Sequence, residues 1–146
     1  MHSSKEQSEM YLKAIWAVTH TSESAKTTRI AERLHVAPSS TTEMFQKLKK
    51  RGLINYEGYK GAVLTKKGRE IVVRLTRKER LLKKFLHEVL HLPKKKAMEQ
   101  ACTLEHYLSE DTERSLCKFM GCPRICRIGN DPIDQCAACM KKYNGQ

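Results

Sequence analysis

No stretch of this 146-residue sequence is apolar for long enough to span a membrane, and no signal-peptide core follows Met1. A cytoplasmic protein is therefore expected, with no membrane partner. No internal repeat is visible, and the length suits one domain or two small ones sharing a helix. Acidic residues are scarce in one segment. Residues 26–84 hold 17 Lys and Arg against 5 Asp and Glu, so their excess of +12 equals the formal net charge of the whole chain. A basic excess confined to one segment is the footprint of a nucleic-acid-binding module rather than of a generally basic protein. The six Cys lie in what should be a reducing compartment, which argues against a disulfide framework and for metal ligation or redox chemistry.

What is present reads as helices with one short strand pair. Lys5 to His20 predicts a helix whose buried stripe is Tyr11, Leu12, Ile15, Trp16 and Thr19, with Met10 well off that stripe. Thr27 to Leu34 is a short helix with Ile30, Ala31 and Leu34 inward. A turn at His35-Val36-Ala37 leads to Pro38, whose missing N–H costs nothing at the start of the next helix. Ser40-Thr41-Thr42-Glu43 fits a capping box, Met44, Phe45 and Leu48 give an apolar face, and Gly52 stops the helix. Two helices about a tight turn, the second opening in hydroxyls and closing in Lys47, Lys49, Lys50 and Arg51, read as a helix-turn-helix. Leu53–Glu57 and Ala62–Leu64 alternate like strands about a turn at residues 58–61, forming a wing. Thr65 can cap a long helix with Ile71, Leu75, Leu82, Phe85, Leu86 and Val89 at helical spacing, ending before Pro93. Ser109 caps a further helix. After about Met120 the composition turns to Gly, Pro and Cys.

Three groups of residues carry possible chemistry. Read as a helix from Ala97 to Leu108, the chain has an apolar stripe of Ala97, Ala101, Leu104 and Leu108. Cys102, Glu105 and His106 stand beside it at i, i+3 and i+4, with Met98 one turn earlier. Thiolate, carboxylate and imidazole together suit a transition metal better than Ca²⁺ or Mg²⁺. In the tail, Cys122-x3-Cys126 and Cys136-x2-Cys139 supply four thiolates where Gly and Pro preclude an unaided core. Zn(II) is preferred there, an Fe–S cluster is the alternative, and Cys117 is a possible fifth participant. His87-Glu88-Val89-Leu90-His91 matches the His-Glu-x-x-His zinc-peptidase pattern. The pattern is short, Pro93 follows at once and no third ligand stands at metzincin spacing, so a surface His pair is the better reading and no catalytic residue is assigned.

With these features placed, residues from about Ser8 to Met120 resemble the diphtheria-toxin-repressor family of metal-dependent transcriptional regulators. The resemblance rests on Glu9-Met10-Tyr11-Leu12, Arg29-Ile30-Ala31-Glu32-Arg33-Leu34, Arg51-Gly52-Leu53, Leu64-Thr65 with Gly68, and Ala101-Cys102 with Glu105-His106. It implies a homodimer that binds double-stranded DNA at a palindromic operator when a divalent metal is bound. By matching position the metal ligands are Met10, Cys102, Glu105 and His106, which gives the off-stripe Met10 a purpose. Manganese-sensing members carry carboxylates at the Met10 and Cys102 positions. The softer thioether and thiolate favour Fe(II) over Mn(II). The DNA-facing residues by family position are Arg29, Ser39, Ser40, Thr42, Glu43 and Lys47, with Lys50 on phosphates. At the family's ancillary metal site this chain has Glu79, Lys83 and Met98, and the cation at Lys83 argues that the site is missing. The C-terminal β-barrel of longer members is replaced by the Cys-rich tail.

The expected fold is mainly α: a winged helix-turn-helix over residues 1–65, a helical metal-binding and dimerisation region over 66–120, and a small Cys-rich metal lobe over 121–146. The expected function is Fe(II)-activated repression of metal-homeostasis genes. The alternatives are a redox or Fe–S sensor built on the tail Cys and, remotely, a zinc peptidase using His87, Glu88 and His91.

Overall fold

The computed structural model describes residues 4–126 and 131–132. Its elements are α1 (Ser4–Thr19), α2 (Thr27–Leu34), α3 (Pro38–Lys50), β1 (Ile54–Glu57), β2 (Gly61–Leu64), α4 (Lys66–Lys84), a π-helical turn (Phe85–Val89), α5 (Lys94–Leu104), α6 (Glu110–Phe119), β3 (Ile125–Cys126) and β4 (Asp131–Pro132). The chain divides into two compact units, with the boundary between Arg74 and Leu75 inside α4.

The first unit is built around Leu12, Ile15, Ile30, Phe45, Leu48, Leu53 and Ile54, all essentially sealed from solvent. Phe45 sits at its centre, edge-on to Tyr11 (ring centroids 6.4 Å) and to Tyr56 (5.0 Å). The α1 stripe runs through Leu12 and Ile15 to Val18, leaving Trp16 and Thr19 half-buried. Trp16 stands edge-on to His20, whose Nδ1 lies 2.7 Å from the Trp16 carbonyl.

Pro38 opens α3 as expected, and this overturns the capping box. The cap position is Ala37, with no side-chain hydrogen bond, so Ser40 is already inside the helix and Glu43 turns to Lys47 instead. At the other end, the Gly52 N–H donates to the Lys49 carbonyl (2.9 Å) and the Leu53 N–H to that of Leu48 (3.0 Å). This is the Schellman arrangement, with Gly52 in the left-handed region (φ 69°). α2 ends the same way, with His35 (φ 55°) in the glycine role and Val36 bonding back to Ala31 (3.0 Å).

β1 and β2 pair antiparallel in the register Ile54↔Leu64, Asn55↔Val63, Tyr56↔Ala62 and Glu57↔Gly61. Ala25, in the α1–α2 loop, adds a single further bridge to β2 by exchanging two 2.8 Å hydrogen bonds with Ala62. A Cβ on Gly61 would stand 2.7 Å from the Ala25 carbonyl oxygen, so this close approach requires glycine. Thr65 then caps α4. Its hydroxyl accepts from the Gly68 N–H (3.2 Å) and donates to the Gly52 carbonyl (2.7 Å).

In the second unit, Leu82 and Leu86 pack on Ala97 and Ala101, and Leu81 packs on Cys117 and Cys122. A buried Arg77–Glu113 ion pair joins α4 to α6. The long helix departs from expectation at its end. From Phe85 the backbone widens, and the Leu90 N–H bonds five residues back to Phe85 (3.1 Å). The extra residue in that turn rotates Val89 out of the core, where it is 39% exposed. α5 likewise stops at Leu104 rather than Leu108. The Leu104 carbonyl accepts from both the Tyr107 and the Leu108 N–H (3.1 Å each), and the Leu104 side chain is exposed. Among the described residues no helix is long and apolar enough to cross a membrane.

Candidate nucleic-acid interface and metal ligands

α3 is two-faced. Thr41, Phe45 and Leu48 are sealed in the core. Ser39, Ser40, Glu43, Lys47 and Lys50 are exposed, and their spacing places them on one side of the helix. Thr42 is half-buried and its hydroxyl donates back to the Pro38 carbonyl (3.1 Å). Glu43 and Lys47 pair at 2.8 Å. The hydrogen bond and positive charge of Lys47 hold the Glu43 carboxyl below its ordinary range. The face therefore offers two hydroxyls at a helix N-terminus and cations towards the C-terminus, groups that suit phosphate and base-edge contacts.

Arg29 is exposed on α2 and donates to the Ser22 hydroxyl (2.7 Å). It lines an open cleft of about 870 Å³ between the α1–α2 loop and the wing, together with Lys26, Lys49 and Lys60. Lys26 was not singled out in the sequence, and Lys49 was read there only as one of the cations closing the second helix. Their ammonium groups hold the wing backbone, Lys26 at the Tyr59 carbonyl (2.5 Å) and Lys49 at that of Tyr56 (3.1 Å). Tyr59, at the wing tip, is 79% exposed.

The proposed metal ligands are distributed as follows. Met10 is on α1 in the first unit, 36% exposed and off the core stripe as expected. Cys102 is on α5 and exposed. Glu105 is the C-terminal cap residue of α5 and fully buried, and the adjacent His106 is 8% exposed. His106 Nε2 lies 3.5 Å from Glu105 Oε1. The structure thus brings Glu105 and His106 together. Glu105 still follows the helix, its N–H bonding to the Ala101 carbonyl (3.0 Å), and the chain tightens into a turn only after it. Among the described residues no three His, Cys, Asp or Glu side chains converge as a metal site. A buried carboxylate beside a buried imidazole is nonetheless a donor pair suited to a divalent transition metal. Glu79 and Lys83 form an ion pair at 2.8 Å, both nearly buried, and Met98 is 42% exposed.

The His-Glu-x-x-His segment does not form a zinc-peptidase helix. Its residues lie on the π-helical turn, His91 has left the helix with φ 57°, His87 Nδ1 is 2.8 Å from the Leu92 carbonyl, and Glu88 is paired with Lys84 (2.6 Å). In the tail, Cys122 is buried, Cys126 lies on β3, and Cys136 and Cys139 fall outside the described residues.

Family models match nearly the whole chain in two consecutive parts. Residues 4–62 match the N-terminal DNA-binding domain of the iron-dependent repressors, and residues 65–134 match their metal-binding and dimerisation domain. The chain belongs to the iron-dependent repressor family. As a member it belongs to a DNA-binding, dimerising repressor family and is not an enzyme. It is 41% identical over 113 residues to an HTH-type transcriptional regulator of Methanocaldococcus jannaschii, covering 77% of this chain and 90% of that one. It is 32% identical over 130 residues to the iron-dependent repressor IdeR of Mycobacterium tuberculosis, covering 89% of this chain and 56% of IdeR. Its fold is similar to that of a manganese-dependent transcriptional repressor solved with manganese (TM-score 0.76, 30% identity, 86% of this chain and 57% of that one). This repressor-family member spans little more than half the length of the last two.

Proposed function

We propose that this chain is a cytoplasmic, metal-gated transcriptional repressor that binds a palindromic operator as a homodimer, with Fe(II) as co-repressor. The observation that carries the reading is the exposed face of α3, with Ser39, Ser40, Glu43, Lys47 and Lys50 held outward by the burial of Thr41, Phe45 and Leu48. Arg29 and the cations beside the wing add phosphate contacts, so binding should weaken steeply with salt.

The proposed metal ligands are Glu105 and His106, which already stand together, with Cys102 and Met10. A divalent metal held by these residues would supply a cation suited to their thioether, thiolate, carboxylate and imidazole donors. For that to regulate DNA binding, the metal must bind the DNA-competent state more tightly than the other. The thioether of Met10 and thiolate of Cys102 favour Fe(II) over Mn(II). A second metal, Zn(II) in preference to an Fe–S cluster, is proposed for Cys122, Cys126, Cys136 and Cys139.

The test is to select duplexes from a random pool with anaerobic, Fe(II)-loaded protein, then measure mobility shifts with and without chelator. Chelation should weaken binding at least tenfold, about 1.4 kcal/mol, and Fe(II) should restore it. Equal affinity in both conditions overturns the reading. Met10→Ala should abolish the iron response while leaving the fold intact.

A further inference from the structure

α4 sends two neighbouring cations to the stretch that follows the buried donor pair. Lys78 is half-buried, and its ammonium donates to the Leu108 carbonyl (2.8 Å). Arg77, one residue before it, forms the buried ion pair with Glu113 of α6. Glu105 and His106 lie on the short connection between α5 and α6, and Leu108 stands near its end.

Both ends of this connection are fixed by backbone. Upstream, the Glu105 N–H bonds to the Ala101 carbonyl (3.0 Å) and the Leu104 carbonyl accepts from Tyr107 and Leu108 (3.1 Å each). Downstream, the Ser109 hydroxyl accepts from the Thr112 N–H (3.2 Å) and its carbonyl from the Glu113 N–H (2.9 Å). Lys78 reaches the intervening Leu108 carbonyl from a third helix. Carbonyls just past a helix C-terminus lack intrahelical donors, and a cation is favoured there. A side-chain tie of this kind is an ordinary staple where the turn carries nothing. This turn carries a carboxylate sealed from solvent and an imidazole only 8% exposed, 3.5 Å apart. Side chains this deep keep their mutual position only as well as their backbone does, and metal affinity depends on that position.

We infer that Lys78 is a positioning residue for metal binding by Glu105 and His106, acting through the Leu108 carbonyl. The inference rests on the reading of Glu105 and His106 as metal ligands, and adds to it a residue of α4 that holds their turn. If the tie and the metal favour the same arrangement of the turn, each strengthens the other.

Metal-free, full-length protein is titrated anaerobically with Mn(II), and binding is read from the loss of the free ion's paramagnetic resonance signal. Mn(II) prefers oxygen donors, so thiolates elsewhere in the chain compete poorly for it. Lys78→Met keeps the aliphatic stem and removes the donor. It should weaken Mn(II) binding by about tenfold or more, and Lys78→Arg, which restores an N–H, should recover most of the loss. In the unaltered protein, Mn(II) should slow acetylation of Lys78 by acetic anhydride, read by mass spectrometry, a measure that stands even where Lys78→Met fails to fold. If Lys78→Met loses stability but keeps the unaltered affinity, the tie is structural only and the inference is overturned, with the ligand assignment left standing. Acetylation of Lys78 at one rate with and without bound Mn(II) would overturn it too. If the unaltered protein binds no Mn(II), or His106→Ala binds it equally well, the ligand assignment itself fails and the inference falls with it.

Discussion

At the end of α3, Gly52 and Leu53 return hydrogen bonds to Lys49 and Leu48; at the end of α6, Gly121 and Cys122 return the equivalent bonds to Lys118 and Cys117. The backbone solution is shared, down to a capping residue with φ near −80° (Arg51 at −80°, Met120 at −84°) followed by a left-handed glycine. The side chains brought together differ. Leu48 and Leu53 are both buried in the core of the first unit, next to Phe45 and Ile54. Cys117 and Cys122 fill a much smaller cluster. The α3 turn is also held from the far side, because Thr65 bonds to Gly52 and Gly68 lies so close that a Cβ there would stand 2.1 Å from the Leu53 carbonyl oxygen. A turn of fixed geometry can therefore serve a large core or a small one, and the pair of residues that it joins decides which.

Truncating the joined pair should separate the two turns most. Leu48→Ala should cost about 2–5 kcal/mol of stability, through lost burial and the cavity left behind. Cys117→Ala in metal-free protein should cost only about 1 kcal/mol. Urea unfolding followed by circular dichroism checks both, and comparable losses would break the distinction. Next come the glycines. Gly52→Ala and Gly121→Ala should each cost about 1–2 kcal/mol, because an added Cβ meets no neighbour within 4 Å at either site and only the left-handed backbone is penalised. Unequal costs would show that one turn is strained by its surroundings.

Thr65→Ala should cost about 1 kcal/mol by removing the α4 cap, and hydrogen exchange at Gly68 should rise. The smallest effect concerns the exposed Glu43–Lys47 pair. The Glu43 carboxyl is held below its ordinary value, so its contribution is present at neutral pH, above the unfolded pKa, and is lost as pH falls through the lowered one. Carboxyl-resolved NMR titration should show the midpoint return to the ordinary glutamate range in Lys47→Ala.

Much of the first unit was legible because its signals are local. Pro38 marks the start of α3, Gly52 its end, and the alternation through Leu64 the wing. Ala25 was not legible as a sheet partner, since a single rung leaves no periodicity. The capping box was misread because Ser40-x-x-Glu43 is equally compatible with the second turn of a helix begun at Pro38. In the second unit the helices were visible but their ends were not. The π-helical turn at Phe85–Val89 and the early stop at Leu104 come from backbone hydrogen bonds that residue spacing does not encode. The first of those ends moved His91 off its expected helix. The Cys117–Cys122 pairing had a readable signal in Gly121, lying one residue before Cys122 and four after Cys117.

Trp16 is the only tryptophan of the chain, and it lies on α1, half-buried and edge-on to His20. Indole emission therefore originates in the first unit alone, six residues from Met10. Loss of structure in the second unit has no tryptophan of its own to report it. The protein carries a built-in optical label for one of its two units, and comparing that emission with a whole-chain signal distinguishes melting in one step from melting in two.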